Sequence, residues 1–339
     1  MEDYSIRGCF ADVITALTVN RLHRTTARRQ EENVQTVESL LSRNQSINSN
    51  LFIAHNNLTV TGFGLGNFMF ILSSMYGMAQ NMSRSVALLE PHTHEGIFEN
   101  LHHFIQHHTK SDLFPESVEV LHEKYWAIFD PEVLHLSTDY PNEHILLDGY
   151  RQVLQIFDDY EQDIRAMFAF KQNITDTAIA KIRLGLEEYF QRTNKTYDVL
   201  PKLVGVHVRR GDILTGAWHE MGHEPATEAY LLRTVLHMET LYAPVVFLVI
   251  SNGIDYCKKV FKEDNVIFME HHDSTEVDMA LLTLMDYLVL SVGTFGWWGA
   301  YLGEAKEVHY YRDWPRNGTV MKAGINPADF WPSQWIAGI

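Results

Sequence analysis

Five short apolar runs in the C-terminal half, at 203–208, 245–251, 265–269, 286–292 and 307–311, alternate with helical stretches at 226–240, 255–262, 276–285 and 296–304. Runs this short and this rich in β-branched residues suit strands buried on both faces. Parallel neighbours need crossover connections, so strands alternating with helices predict a mostly parallel sheet covered on both sides. Ligands of such open sheets bind beyond the carboxyl ends of the strands. The chemistry is therefore expected where these runs stop.

Two of them stop on polar groups suited to phosphate. Leu203-Val-Gly-Val-His-Val-Arg-Arg-Gly-Asp212 passes from a buried strand into His207, Arg209, Arg210 and Asp212. A planar guanidinium matches phosphate oxygens two at a time, so paired arginines suit a diphosphate. The bland alternative, arginines paired with surface acids, stays open on this segment alone. Leu288-Val-Leu-Ser-Val-Gly-Thr-Phe-Gly-Trp-Trp-Gly-Ala-Tyr-Leu302 reads as strand, glycine-flanked turn and helix. Gly293 and Gly296 let backbone N–H groups approach an anion, and Thr294 adds a hydroxyl at the helix start.

The whole chain sets limits on what that anion is. Its 339 residues suit two domains, and 46% hydrophobic residues describe a folded protein. A formal net charge of −16 argues against nucleic acid and against anionic membrane surfaces as partners, so any phosphate site is a local basic pocket. Cys9 and Cys257 are the only cysteines and encode no disulfide framework. Sequons at Asn44, Asn57, Asn81, Asn173, Asn194 and Asn317 suit a chain facing the secretory lumen. The apolar stretch from Cys9 to Val19 is broken by Asp12 and too short to span a bilayer.

Two α/β domains are expected, at 51–199 and 200–339, preceded by a tail or stem at 1–50. In the first α/β domain a strand from Leu58 leads into Gly64-Leu-Gly-Asn67 and a helix from Phe68 to Gln80. A further strand is expected at His144–Asp148, with helices at Tyr150–Phe168 and Ala178–Arg192. His103 and His107, with i,i+4 spacing beside His102 and His108, read as structural histidines of a solvated helix. His219-Glu-Met-Gly-His223 fits the zinc-protease spacing H-E-x-x-H, but Gly222 within it and Pro225 after it make a poor helical scaffold. There is no Asp-x-Asp anywhere, so no metal ligand is assigned.

His207-Val-Arg-Arg-Gly-Asp212 and Gly293-Thr-Phe-Gly-Trp-Trp-Gly-Ala-Tyr-Leu302 resemble two signature motifs of the galactoside α-1,2-fucosyltransferases. Ser251-Asn-Gly253 with Cys257, Asp278-Met-Ala-Leu-Leu282 and Phe330-Trp-Pro-Ser-Gln-Trp-Ile336 support the resemblance, which runs from about Leu58 to the end. It implies a GT-B-like α/β fold, two Rossmann-like domains facing a cleft, and GDP-fucose as donor without a metal cofactor. It further implies a galactose-terminated glycan as acceptor, inversion at the transferred carbon, and a Golgi, membrane-associated location. Arg209 and Asp212 would be catalytic, Asp212 either as base or as the arginine's partner. His207, Arg209, Arg210, Asp278, Gly293, Thr294, Phe295 and Gly296 would bind the donor, with Gly66 and Asn67 reaching it from the opposite domain. The family's glycine and glutamine in that first loop are Phe63 and Phe68 here. Other acceptors, or donor binding without catalysis, remain alternatives. Trp218, Trp297 and Trp298 are available to sugar faces, with at least one of the adjacent pair expected in the core.

Overall fold

A computed structural model describes residues 10–44, 50–57, 64–195, 197–270 and 274–338. Its contacts divide the chain into two units, one of Met1–Arg28, Gln172–Ala323 and Gln334–Ile339, the other of Arg29–Lys171 and Gly324–Ser333. Each is an α/β unit on its own parallel sheet, the content of the GT-B-like fold that the resemblance implies.

In the N-terminal unit the strands are β1 (Phe52–His55), β2 (Ser85–Leu88), β3 (Ile105–His107), β4 (Val120–Leu121) and β5 (Ile145–Leu147). They are ordered β3-β2-β1-β5-β4 and pair in parallel. The helix Leu65–Asn81 follows β1 and is buried on nearly every side, as an apolar helix without a polar face must be. The strand expected from Leu58 to the glycine loop lies outside the described residues; β1 precedes it.

Two expectations for this unit are corrected. The helix expected from Tyr150 begins only at Glu161, because Glu123 accepts the N–H groups of Tyr150 and Arg151 at 2.8 and 2.6 Å. That carboxylate fixes the backbone after β5 outside the helical ladder. The histidine patch is not one helix either. His103 ends a 3₁₀ turn, while His107 ends β3 and pairs with Glu95 at 3.0 Å, so their spacing shares no helical face.

The C-terminal unit contains β6 (Lys202–Val208), β7 (Val245–Ser251), β8 (Val266–Phe268), β9 (Tyr287–Leu290), β10 (Glu307–Tyr311) and β11 (Ile336–Gly338). All pair in parallel, in the order β11-β10-β9-β6-β7-β8. From β6 the chain builds outward to β7 and β8, then returns to the other side of β6 for β9, β10 and β11. The switch point therefore falls between β6 and β9. The expected strands and helices of this half all occur, with ends differing by a few residues at most.

Residues 10–44 are more than a tail. Helical structure runs from Phe10 to Asn44, with a π-helical stretch at Ala16–His23. Val13, Ile14, Leu17 and Leu22 are buried, the spacing of one apolar helical face. Arg21 pairs with Asp286 at 3.1 Å and Arg28 with Glu304, so these two arginines dock on acids of the C-terminal unit. The helix Gln172–Thr193, expected before the domain boundary, also belongs to this unit, where Gly185 packs on Ile267 of β8. Cys257 is buried and free, and Cys9 lies outside the described residues. Among the described residues no helix is long and apolar enough to cross a membrane.

Candidate active site

β6 ends at Val208, and the next two residues are held by hydrogen bonds from the flanking strands' ends. The N–H of Arg209 donates to Ser291 Oγ at 2.8 Å, just past β9. The N–H of Arg210 donates to Asn252 Oδ1 at 2.7 Å, just past β7. The turn after β6 is thus pinned from both sides, and the two guanidiniums leave it in different directions. Arg210 lies over the Tyr256 ring, 3.6 Å from its centroid, a cation–π contact. Arg209 folds back on Asp212 in the following 3₁₀ turn, Nη2 to Oδ2 at 2.6 Å and Nε to Oδ1 at 3.2 Å.

The remaining nitrogen of Arg209 meets the second motif. Gly293 has φ +88° and ψ 176°, a conformation essentially reserved for glycine, and starts the helix Thr294–Leu302. A Cβ on Gly293 would lie 2.6 Å from Arg209 Nη1, and one on Gly296 would lie 2.5 Å from His207 Nδ1. Both glycines are present because side chains of the first motif occupy that space. The backbone N–H groups of Thr294, Phe295 and Gly296 belong to the first turn of this helix, where no intrahelical acceptor exists. A guanidinium beside a helix N-terminus at a switch point favours an anion, by charge, by dipole and by hydrogen bonding.

His207 is almost wholly buried, and its ring lies 5.5 Å from that of Phe295. Burial, then the charge of Arg209, pushes its pKa down to about 3, so it is a neutral imidazole at physiological pH. Its Nδ1 is buried without a hydrogen-bond partner among the described residues. For Asp212, burial raises the pKa, but hydrogen bonds and charge from Arg209 outweigh it and hold the carboxyl below its ordinary range. Asp278 is buried in the first turn of the helix Thr275–Thr283, whose Leu282 packs against Gly299 of the helix after Gly293. Gly66 and Asn67 lie in the N-terminal unit, in the first turn of the helix Leu65–Asn81, where Asn67 accepts from Gln152 at 3.1 Å. Phe68, at the family's glutamine position, is buried and stacked on His92 at 4.4 Å. Phe63 lies outside the described residues.

The H-E-x-x-H segment forms no zinc scaffold. Its helix, Ala217–Met221, ends at Gly222, between the two histidines. His219 Nε2 faces Arg316 Nη1 at 3.0 Å, while His223 Nδ1 accepts from Trp314 Nε1 at 3.3 Å. His223 is nevertheless part of this neighbourhood: burial and then Arg209 lower its pKa to about 4, against the opposing charge of Asp212. Trp297 and Trp298 are both fully buried, so neither offers a face to a sugar. At 150–250 Å² each, they contribute roughly 4–6 kcal/mol apiece of apolar burial that anchors the anion-facing helix. Trp218, at 42% exposure, is the one of the three that meets solvent.

Ser291, Asn252 and Tyr256 were not singled out by sequence as site residues. Ser291 lies two residues before the second motif and Asn252 within Ser251-Asn-Gly253, but nothing local reveals which backbone group a side chain will hold.

Residues 24–317 match Glycosyl transferase family 11. Galactoside alpha-(1,2)-fucosyltransferase 2 of Bos taurus is 26% identical over 82% of this chain and 78% of that protein. Galactoside alpha-(1,2)-fucosyltransferase 1 of Saimiri boliviensis boliviensis is 29% identical over 58% of this chain and 53% of that protein. Among solved structures, NodZ alpha-1,6-fucosyltransferase soaked with GDP-fucose is similar at 15% identity and TM-score 0.45, over 78% of this chain and 95% of that one.

Proposed function

The chain belongs to glycosyl transferase family 11, and from that membership we propose that it transfers fucose from GDP-fucose to O2 of a terminal galactose on a glycan, with inversion. The donor and acceptor are those of the galactoside alpha-(1,2)-fucosyltransferases it resembles. The observation that carries the reading is the meeting of Arg209 Nη1 with Gly293 at the switch point between β6 and β9. As GDP departs, negative charge grows on the β-phosphate and the sugar becomes oxocarbenium-like. Donors aimed in advance at that phosphate stabilise the transition state more than the ground state. Arg209 supplies this charge, Arg210 supports it from its seat on Tyr256, and the N–H groups and hydroxyl of Gly293–Gly296 cradle the oxygens. No metal ion is needed in this scheme.

Neutral, partner-seeking His207 Nδ1 suits hydrogen bonding to guanine, with Asp278 as the second base contact and Phe295 packing beside the imidazole. A carboxylate held below its ordinary range by an arginine is a weak base. Asp212 is therefore assigned to positioning Arg209: galactose O2 bonds to C1 as the bond from C1 to the β-phosphate oxygen breaks, and the hydroxyl proton passes to the departing diphosphate or to water rather than to this pair. We place the enzyme in the Golgi lumen, a location supported by the six sequons and the family. Asn81, Asn173, Asn194 and Asn317 are exposed and open to glycan attachment.

The test offers GDP-fucose with a β-galactoside and with its 2-deoxy analogue. Transfer to the galactoside alone is expected. Equal transfer to the 2-deoxy compound excludes O2, transfer only to a core glycan or a protein changes the acceptor, and donor binding without any transfer makes the chain a binding module.

A further inference from the structure

His237, Glu307 and His309 each bring one ligand atom within 4.8 Å of the others. The cluster is a product of the fold. Glu307 and His309 are two apart on β10, so they share one face of the sheet, and His237 projects from the helix Glu228–Tyr242. The three residues are remote from the proposed active site. Register places Glu307 opposite Tyr287 and Tyr287 opposite Val204, so five residues of strand, about 17 Å, separate its level from Arg209.

From this arrangement we propose that His237, Glu307 and His309 bind one zinc-class divalent transition metal ion, as a structural clip between β10 and the helix above it. Two imidazoles and a carboxylate are a borderline-soft donor set, suited to zinc, nickel or copper and poorly matched to magnesium or calcium, which take oxygen ligands. Ligands about 2.0–2.1 Å from a tetrahedral zinc stand about 3.3 Å apart. His309 Nε2 and Glu307 Oε1 are 2.5 Å apart and all three atoms fit within 4.8 Å, so small side-chain rotations bring them to that spacing. The imidazole rings of His237 and His309 are 5.5 Å apart and inclined at 64°.

Glu307 is already oriented. Tyr242 donates to its second oxygen, Oε2, at 2.7 Å, the outer hydrogen bond expected of a ligating carboxylate. His309 is buried and His237 exposed, which leaves an entry path and room for a water as fourth ligand.

The experiment is zinc titration of the full-length, tag-free chain by calorimetry, with melting temperature measured in parallel. Wild type is expected to bind zinc at one site that His237→Ala loses, with affinity there falling at least tenfold. His237 is exposed, so H237A should melt with the wild type when metal is absent. Zinc should raise the wild-type melting temperature by a few degrees and leave H237A unmoved, and Glu307→Gln should behave like H237A. Magnesium should do neither. The same number of zinc equivalents at the same affinity in wild type and H237A overturns the proposal. Equal stabilisation of both proteins by zinc, or stabilisation of the wild type by magnesium, overturns it as well.

Discussion

A Cβ atom on Gly293 would lie 2.6 Å from Nη1 of Arg209, closer than any side-chain carbon tolerates. The two residues belong to different strands and motifs, and the absence of a side chain at one admits the guanidinium of the other. Gly293→Ala tests this contact. The substitution forces alanine into φ +88°, at a cost of about 1–3 kcal/mol, and displaces Arg209 from the helix N-terminus. Both the urea midpoint and turnover should fall, turnover by tenfold or more. An active, unshifted alanine variant would separate Gly293 from the chemistry.

Arg209→Lys keeps the charge and removes the fork that grips Asp212 through Nε and Nη2 while presenting Nη1 to the glycine turn. Because the ion pair is partly exposed, stability should change little. Turnover should drop about a hundredfold, the scale for losing one pre-aimed donor to developing charge. Steady-state kinetics beside a melting curve checks both halves. Wild-type kcat in the folded lysine variant removes Arg209 from its assigned role.

The anion half of this site was legible because its signals are local. A buried strand must stop somewhere, and Arg209, Arg210 and Gly293 stand where two strands stop. What required the fold was pairing at a distance. Nothing beside Ser291 or Asn252 in sequence shows which N–H each will accept, and nothing near His237 announces Glu307 and His309. The helix expected from Tyr150 failed because Glu123, remote in sequence, captures its first N–H groups. The N-terminal helices were underestimated since their buried face, Val13 to Leu22, is short and their composition polar. Asp286 and the surface on which Arg21 docks are visible only in three dimensions.

Acid should destabilise the protein from about pH 6.5 downward. His207 and His223 have folded pKa values of about 3 and about 4, both lowered chiefly by burial, against 6.5 for a free histidine. Between those values the unfolded chain binds more protons, so stability is complete above pH 6.5 and is lost as pH falls toward 4. At pH 5, about 1.5 pH units below the unfolded value, the loss is about 2 kcal/mol per histidine. Urea midpoints at pH 7.5 and 5.0 should diverge, and His223→Gln, which can still accept from Trp314, should narrow the gap. An equal gap in the glutamine variant contradicts this linkage.

Excess EDTA should leave turnover unchanged. In the proposed scheme Arg209 and the helix N-terminus neutralise the leaving diphosphate, and His219 and His223 are committed to Arg316 and Trp314. The cluster at His237 sits toward the other end of the strands, so stripping it affects melting and not transfer. Loss of transfer on chelation, restored by one metal, rejects arginine as the sole neutralising group.

Trp218→Ala should raise the acceptor KM several-fold while the donor KM and the melting temperature stay within error. Trp218 is the exposed member of the three tryptophans considered for sugar binding; the other two are core. Its ring stands edge-on to His223, 5.7 Å away, and His223 in turn feels the charges of both Arg209 and Asp212. An indole face held at this position by a buried neighbour suits the apolar face of a pyranose, where galactosides expose their C–H bonds. Because the side chain is 42% exposed, removing it takes little from the core, which is why stability should hold. Initial rates with donor and acceptor varied independently separate the two constants. A rise confined to the donor KM would move Trp218 to the nucleotide side of the site. Unchanged kinetics would leave it as surface, and the acceptor-binding face would have to be sought elsewhere.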